Sequence, residues 1–216
     1  MSSFPQPLLD GYRTFTSQRL PTEQSRYRDL AERGQAPEVM VIGCCDSRVS
    51  PEVIFDAGPG ELFVVRNVAN LVPVYEPDGG AHGVSAALEY AVRALRVKHI
   101  VVLGHAQCGG IRAFIDNIAP LSPGDFIGRW MSMFIKPGEK VEQRERETMA
   151  DFTTRIEKAA VFRSLENLMT FPFVRTLAER GELGLHGAYF GVAEGSLSVL
   201  DQATKEFRSV REEVGK

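Results

Sequence analysis

Three short, continuous apolar runs constrain the fold of this chain more than any other feature of its sequence. They occupy residues 39–43, 62–65 and 100–104 and are rich in valine, isoleucine and leucine. Runs this short, without alternating polar residues, are typical of strands that are buried on both faces, as in a parallel sheet. The pattern therefore predicts an α/β fold with a mostly parallel central sheet.

Helical signals separate these runs. Ser50 followed by Pro51 is typical of a helix start, with the serine as N-cap and the proline in the first turn. Because strands and helices alternate along the chain, we expect helices to flank the sheet through right-handed crossovers. A second helix is expected over residues 84–95, where these side chains fall at helix spacing: Ala86, Ala87, Tyr90, Ala91, Ala94 and Leu95.

The segments outside this core add further helices and a hairpin. Residues 1–36 are polar and lack a strand signal, and a helix is expected from Pro21 to about Gly34. We expect this segment to form an N-terminal arm that packs on the body or on another subunit. Residues 120–180 are expected to be mostly helical, with the charged run 142–147 on a solvated helix face. At the end of the chain, two short strands over 188–192 and 197–200 predict an antiparallel hairpin or edge strand.

Length and composition favour one domain over residues 1–216, including the helical arm. The chain has 216 residues, of which 44% are hydrophobic and 25% charged, and this suits a single globular α/β domain. A net charge of −3 gives no reason to expect nucleic acid or an anionic membrane as a partner. The sequence shows neither a secretory signal nor an apolar run of the ~20 residues that a membrane span needs, so we expect a cytoplasmic protein.

The first group of reactive side chains follows the first apolar run directly. Residues 44–48 have the sequence Cys-Cys-Asp-Ser-Arg, and α/β folds place their ligands at the carboxyl ends of parallel strands. Side chains alternate along extended chain, so Cys44, Asp46 and Arg48 are expected on one side and Cys45 on the other. A thiolate, a carboxylate and a guanidinium would then converge.

The second group follows the third apolar run. Residues 104–110 have the sequence Gly-His-Ala-Gln-Cys-Gly-Gly, and a histidine and a cysteine three residues apart can bind one metal ion from a tight loop. The glycines allow the backbone to approach a ligand closely. A helix that begins near Cys108 would help to stabilise its thiolate.

Together these groups supply two cysteines and one histidine, which is a zinc ligand set with one position left open. Three protein ligands and an open position are typical of catalytic zinc, whereas a closed set of four is typical of structural zinc. A metal-free structural role and a closed structural zinc site are the alternatives, and a redox dithiol is disfavoured because the chain has no Cys-x-x-Cys. Three further histidines could supply a fourth ligand but lie in no comparable motif, and ordinary surface or capping roles suit them better: His82, His99 and His186.

The two motifs resemble those of the β-class carbonic anhydrases. Cys-x-Asp-x-Arg begins at Cys44, and His-x-x-Cys-Gly-Gly begins 61 positions later at His105. The resemblance continues through Pro-Gly-Glu at 59–61, Val-Val-Arg-Asn-Val-Ala-Asn at 64–70 and Glu-Tyr-Ala-Val at 89–92. It is strong over about residues 35–115 and weak at the C-terminal hairpin.

This resemblance implies an enzyme that hydrates carbon dioxide reversibly to bicarbonate and a proton, with one zinc ion per subunit. Cys44, His105 and Cys108 match the family's zinc ligands, and Asp46 and Arg48 match its catalytic pair. The resemblance also implies a homodimer or a higher multiple of dimers. Four positions match residues of the family's substrate site, the first of them reaching the site across the dimer interface: Gln35, Phe63, Val68 and Tyr90. The backbone amide of Gly109 is expected to hold an oxygen of bicarbonate together with Gln35.

Three positions depart from the family pattern, and two of them bear on regulation. Some β enzymes hold an inhibitory bicarbonate with a tryptophan and a tyrosine, and here Val41 stands at the first position and Phe190, beside Tyr189, at the second. The resemblance therefore implies the plant-type subgroup, whose site stays open. Cys45, where serine is common, is interpreted as a neutral replacement. A hydrolase of carbonyl sulfide or carbon disulfide would use the same ligands, and a scaffold role would accompany the enzyme.

Overall fold

A computed structural model describes residues 4–116, 126–135 and 141–210. The chain forms two compact units, Met1–Ala36 and Pro37–Lys216. In the first unit, helix α1 spans Gln6–Thr14, a π-helical segment covers Phe15–Arg19, and helix α2 spans Leu20–Arg33. The arm is therefore helical as expected, but helix begins at Gln6, well before Pro21. Pro21 lies in the first turn of α2, where its missing N–H costs nothing.

The second unit contains a mixed sheet in the spatial order β2-β1-β3-β4-β5-β6. Its strands are β1 Val39–Cys44, β2 Leu62–Asn67, β3 His99–His105, β4 Gly184–Gly191, β5 Ser196–Leu200 and β6 Phe207–Ser209. The first four run parallel, whereas β5 and β6 are antiparallel. This confirms the predicted α/β fold with a C-terminal antiparallel part.

Register places the ends of three parallel strands side by side. Cys44 at the end of β1 pairs with Asn67 at the end of β2, and Gly43 pairs with Leu103 of β3. β3 runs two residues further, to His105. The two sequence motifs therefore emerge at the same edge of the sheet, as the rule for parallel strands requires.

Helices complete the second unit, and one of them packs closely on the sheet. Helices α3 (Pro51–Ile54), α4 (Gly83–Glu89), α5 (Gly109–Asp116), α6 (Phe126–Ser132), α7 (Met149–Leu168) and α8 (Pro172–Glu179) complete the unit, and a π-helical segment over Tyr90–Leu95 extends α4. Helix α7 approaches β3 so closely that a Cβ atom at Gly104 would lie 2.6 Å from Val161 Cγ2. In the described ranges no helix is long and apolar enough to cross a membrane.

One sequence expectation about local structure is wrong, and another is confirmed in position but not in its hydrogen bond. The charged run 142–147 is irregular and not helical, because helix α7 begins only after Thr148, which accepts a hydrogen bond from Asp151 N and so caps it. Ser50 is the N-cap residue of α3 and Pro51 lies in its first turn, as expected, although the Ser50 hydroxyl donates to Glu52 and caps no backbone N–H. Residues 120–125 and 136–140 of the expected helical region lie outside the described ranges.

The C-terminal hairpin exists, but it is part of a larger arrangement. β4 begins at Gly184, four residues before the expected start, and pairs in parallel with β3. β5 returns antiparallel to β4, and β6 adds a short strand that the sequence did not indicate. β4 therefore joins the parallel core to the antiparallel edge.

Candidate metal centre

The end of β1 separates two neighbouring cysteines. Cys44 is the last strand residue and only 5% exposed, whereas Cys45 is exposed. Cys45 donates its backbone N–H to Asn67 O at 2.9 Å, which keeps the chain along the sheet for one more residue. The opposite orientation of the two thiols agrees with the alternation expected from the sequence.

His105 ends β3 in a buried position and presents one nitrogen without a partner. Its Nδ1 lies 2.9 Å from the carbonyl oxygen of Ala106, which can only accept, so Nδ1 carries the proton. Its Nε2 is then the atom with the free lone pair, and within the described ranges this buried atom has no hydrogen-bond partner. A buried nitrogen left in this way is suited to bind a metal ion.

Cys108 returns to His105 through a tight turn. Gln107 has φ +57°, a left-handed conformation that is uncommon for residues other than glycine and is often found at functional sites. Cys108 lies just before α5 and is buried. A Cβ atom at Gly110 would lie 2.7 Å from Val68 Cγ1, so this glycine allows the helix to begin close to the segment that follows β2.

The three side chains converge to the dimensions of a zinc site. The Sγ atoms of Cys44 and Cys108 are 4.0 Å apart, and all three ligand atoms of the group lie within 4.8 Å of one another. Two thiolates on one tetrahedral zinc ion would be about 3.8 Å apart, given Zn–S bonds of about 2.3 Å. In the described ranges this is the only cluster of three or more such side chains that could hold a metal ion.

Electrostatics at this group favour one thiolate even without a cation. The hydrogen bond from Cys108 lowers the pKa of Cys44 to about 4, against the effect of burial. The same hydrogen bond, together with burial, raises the pKa of Cys108, so the two thiols share one proton. Burial alone would lower the pKa of His105, but the adjacent Cys44 thiolate reverses this and raises it. A bound cation would displace these protons.

Asp46 and Arg48 form a bidentate ion pair beside the cysteines. Arg48 donates from Nε to Asp46 Oδ1 at 2.9 Å and from Nη2 to Asp46 Oδ2 at 2.7 Å. The Arg48 backbone N–H also donates to Asp46 Oδ1, at 3.0 Å, so a turn after β1, and not the strand alternation we expected, brings the two together. These hydrogen bonds hold the pKa of Asp46 far below its usual range.

Arg66 fixes the loop that carries these residues, although sequence reasoning gave it no role. From β2 its Nε donates to Cys44 O at 2.8 Å and its Nη2 donates to Asp46 O at 2.7 Å. Arg48 makes a similar link to the other motif, from Nη2 to Gln107 O at 2.9 Å. The two arginines therefore tie the loops after β1 and β3 to the sheet and to each other.

A buried carboxylate behind Cys108 was also missed. Glu157 of α7 is 3% exposed, and its Oε1 accepts the backbone N–H of Cys108 at 2.9 Å. Tyr189 of β4 donates its hydroxyl to Glu157 Oε2 at 2.6 Å. Burial is the main reason why the pKa of Glu157 is raised, and burial together with this carboxylate raises the pKa of Tyr189. Only the fold brings these residues together, so no local sequence signal marks them.

The residues predicted to hold substrate lie in different parts of the structure. The rings of Phe63 and Tyr90 lie 5.9 Å apart, and Tyr90 is 51% exposed. Val68 is half-buried and follows β2, and Gly109 is the first residue of α5, directly after Cys108. Gln35 is exposed and belongs to the N-terminal unit. The second unit therefore brings Val68 and Gly109 next to the motif loops.

Val41 and Phe190 lie on the same side of the sheet. Val41 is buried in a small apolar cluster with Leu103 and Ala188, and Phe190 packs against that cluster. Tyr189 points to the opposite face, toward Glu157. Phe190, and not Tyr189, is therefore the aromatic residue of β4 that accompanies Val41.

The three remaining histidines and Trp130 lie outside the metal group. His82 contacts Asp78 at 2.6 Å, and His99 contacts His186 at 3.1 Å. Trp130 donates its indole N–H to Val68 O at 2.8 Å and packs on the core next to the site. None of the three histidines joins the group of Cys44, His105 and Cys108.

Comparison with known proteins identifies the family. The family model described as carbonic anhydrase matches residues 39–197. A carbonic anhydrase of Pseudomonas aeruginosa is 37% identical over 205 residues, which cover 95% of this chain and 91% of that protein.

Solved structures agree with this match. The β-carbonic anhydrase CcaA superposes with a TM-score of 0.82 at 27% identity, covering 94% of this chain and 91% of that one. A tetrameric β-carbonic anhydrase of Sordaria macrospora gives a TM-score of 0.72 at 29% identity, covering 89% of this chain and 94% of that one. The chain therefore belongs to the β class of the carbonic anhydrase family and is an enzyme of the lyase type.

Proposed function

We propose that this protein catalyses the zinc-dependent, reversible hydration of carbon dioxide to bicarbonate and a proton. The observation that carries the proposal is the convergence of Cys44, His105 and Cys108 to within 4.8 Å, with a buried His105 Nε2 that has no hydrogen-bond partner among the described residues. Three protein ligands leave the fourth zinc position open to solvent or substrate, which is the catalytic pattern. When bound there, zinc would supply hydroxide at neutral pH by lowering the pKa of a water molecule to about 7.

Asp46 and Arg48 would control the geometry of attack. With both carboxylate oxygens held by Arg48, Asp46 stays ionised and can accept a hydrogen bond from the attacking hydroxide, aiming its lone pair at carbon dioxide. The same ion pair keeps the carboxylate away from the open metal position. Arg48 is in turn anchored on Gln107 O, so the pair is fixed relative to the second motif.

The substrate-holding residues would divide their tasks by polarity. Phe63, Val68 and Tyr90 provide an apolar wall for carbon dioxide, which has no net dipole or charge. The backbone N–H of Gly109 would hold an oxygen of bicarbonate, together with Gln35 from another subunit. A homodimer or a multiple of dimers is proposed on this basis, and the Sordaria macrospora relative is a tetramer.

Exposed apolar side chains in the arm support such an assembly. On α1, Leu8 is 59% and Tyr12 63% exposed, which is typical of surfaces that another chain covers. A cytoplasmic location, without nucleic-acid or membrane partners, is proposed from the composition.

The site is further proposed to stay open in the presence of bicarbonate. A bicarbonate ion beside Val41 would be a buried anion without hydrogen-bond donors from Val41 or Phe190, and such burial is costly. We expect simple inhibition kinetics with bicarbonate near pH 7. A steep, cooperative loss of activity with bicarbonate would contradict this proposal.

A metal-dependent hydration assay tests the proposed activity directly. Purified protein would be assayed for carbon dioxide hydration by stopped flow, with zinc content measured on the same sample before and after chelation. Activity that follows zinc content supports the proposal, and full activity without zinc overturns it. Rates with carbonyl sulfide and carbon disulfide, measured in parallel, decide between hydration and the hydrolase alternative.

A further inference from the structure

Two histidines meet at the edge of the sheet opposite the proposed zinc site. His99 is the first residue of β3 and His186 lies on β4, two residues after Gly184, which pairs directly with His99. His99 Nδ1 and His186 Nε2 are 3.1 Å apart, and the ring centroids are 5.1 Å apart. Six residues of strand separate His99 from His105, which corresponds to about 20 Å.

A glycine leaves the space in which the two rings meet. A Cβ atom at Gly184 would lie 2.6 Å from His99 Nδ1 and 2.6 Å from His186 Nε2, a separation that real Cβ atoms do not show. Any other residue at this position would force the rings apart. The contact between the two histidines therefore depends on three residues of strands β3 and β4: His99, Gly184 and His186.

The separation of the two nitrogens equals the bite of a metal chelate. Metal–nitrogen bonds of about 2.0–2.1 Å, at angles between octahedral and tetrahedral, place two imidazole nitrogens about 2.9–3.4 Å apart. The observed 3.1 Å lies within that range. In the absence of an ion one of these nitrogens donates a hydrogen bond to the other. If the donor ring carried its proton on its other nitrogen, a small rotation of both rings would turn both lone pairs toward a common ion.

We propose that His99 and His186 form a second metal site, which binds one divalent transition ion of the kind that prefers imidazole. His99 is exposed and His186 is half-buried, so solvent can reach the pair and complete the coordination with water. Zinc, nickel and copper ions suit such ligands, whereas magnesium and calcium prefer oxygen. Burial, with a contribution from His99, lowers the pKa of His186 and so favours the neutral imidazole that binds metals.

This site differs in kind from the group of Cys44, His105 and Cys108. It offers two nitrogens and no thiolate, and within the described ranges no third candidate ligand joins it. We therefore expect rapid, reversible binding that is much weaker than binding at the cysteine-containing group. Exchange at the second site would leave the first site occupied.

Nickel ion is a suitable probe because it prefers imidazole and because the chain has only four histidines. Zinc-loaded, untagged protein would be titrated with Ni²⁺ by calorimetry and applied to an immobilised-nickel column, with zinc content checked afterwards. The same measurements would be made on His99→Gln, His186→Gln and Gly184→Ala. His82→Gln is the matched control, since His82 is also a surface histidine but contacts Asp78.

We expect one nickel ion per chain, with binding weakened by roughly tenfold or more in either histidine variant, because the second imidazole binds intramolecularly. Gly184→Ala should weaken binding while leaving both histidines present, and thermal melting would show that each variant is folded. The control should match the wild type. Equal nickel binding by wild type and His99→Gln, or loss of binding only in His82→Gln, would overturn the proposal.

Discussion

The buried contact between Tyr189 and Glu157 gives the sharpest test of how the metal loop is supported. Tyr189→Phe removes only the hydroxyl that donates to Glu157 Oε2 at 2.6 Å, and Tyr189 is 8% exposed, so water does not readily replace it. Leaving one buried polar atom unpaired costs about 1–3 kcal/mol. For a chain of this size, each kcal/mol lowers the melting temperature by about 2–4 °C, so a decrease of about 2–12 °C is expected.

Thermal and urea unfolding at fixed zinc concentration would measure this loss. Tyr75→Phe is the matched control, because Tyr75 is 42% exposed and its hydroxyl has no hydrogen bond among the described contacts. The control should change the free energy of unfolding by less than about 0.5 kcal/mol, as is usual for surface substitutions.

A double-mutant cycle separates the hydrogen bond from other effects of the lost oxygen. In a Glu157→Ala background, Tyr189→Phe should cost less, with a coupling energy of about 0.5–3 kcal/mol between the two positions. If Tyr189→Phe were as stable as the wild type, or if it cost the same in both backgrounds, the stabilising role of the Tyr189–Glu157 hydrogen bond would be refuted.

Three further predictions concern the site and the surface. Cys44→Ser should lose zinc and hydration activity while Cys45→Ser keeps both, as measured by metal analysis and stopped flow; the reverse result would contradict the ligand assignment. Arg48→Ala should keep zinc but lower the hydration rate by roughly 10²-fold or more, because the orienting charge is lost; wild-type rates would remove Arg48 from the mechanism. Hydrogen bonds from Arg155 lower the pKa of Glu147 to about 2, so this pair should stabilise the fold above about pH 4.5 and lose its effect as the pH falls toward 2. The stability difference between Glu147→Gln and the wild type, followed by urea unfolding, should therefore shrink as the pH falls from about 5, and a difference that grows would show that the sign is wrong.

The sequence predicted those parts of the structure that depend on local pattern. The runs before Cys44 and His105 are strands because they are apolar on both faces, and strand direction then places the motifs at one edge. The metal group was predictable because His105 and Cys108 lie in one turn and Cys44 ends the neighbouring strand. Their convergence to within 4.8 Å needed only the order of the parallel strands.

What the sequence could not predict depends on contacts between distant segments. Glu157 lies 49 residues from Cys108 and 32 from Tyr189, and an isolated glutamate in a helical pattern usually indicates a solvent-facing position. The charged run after residue 141 was assigned to a helix because its composition suits one. Thr148, followed three residues later by Asp151, is a typical N-cap signal, and the helix does begin at Met149.

The close approach at Gly104 has a consequence for engineering this enzyme. Gly104→Ala would push Val161 and its helix away from the sheet, since the added carbon would lie 2.6 Å from Val161 Cγ2. Glu157 lies one helical turn before Val161 on the same helix, so the displacement would also pull on the peptide N–H of Cys108. Thermostabilising changes between this helix and the sheet therefore cannot be chosen for packing alone. A redesign that widens or narrows this layer must also preserve the position of the loop that carries Cys108, because Glu157 links the two.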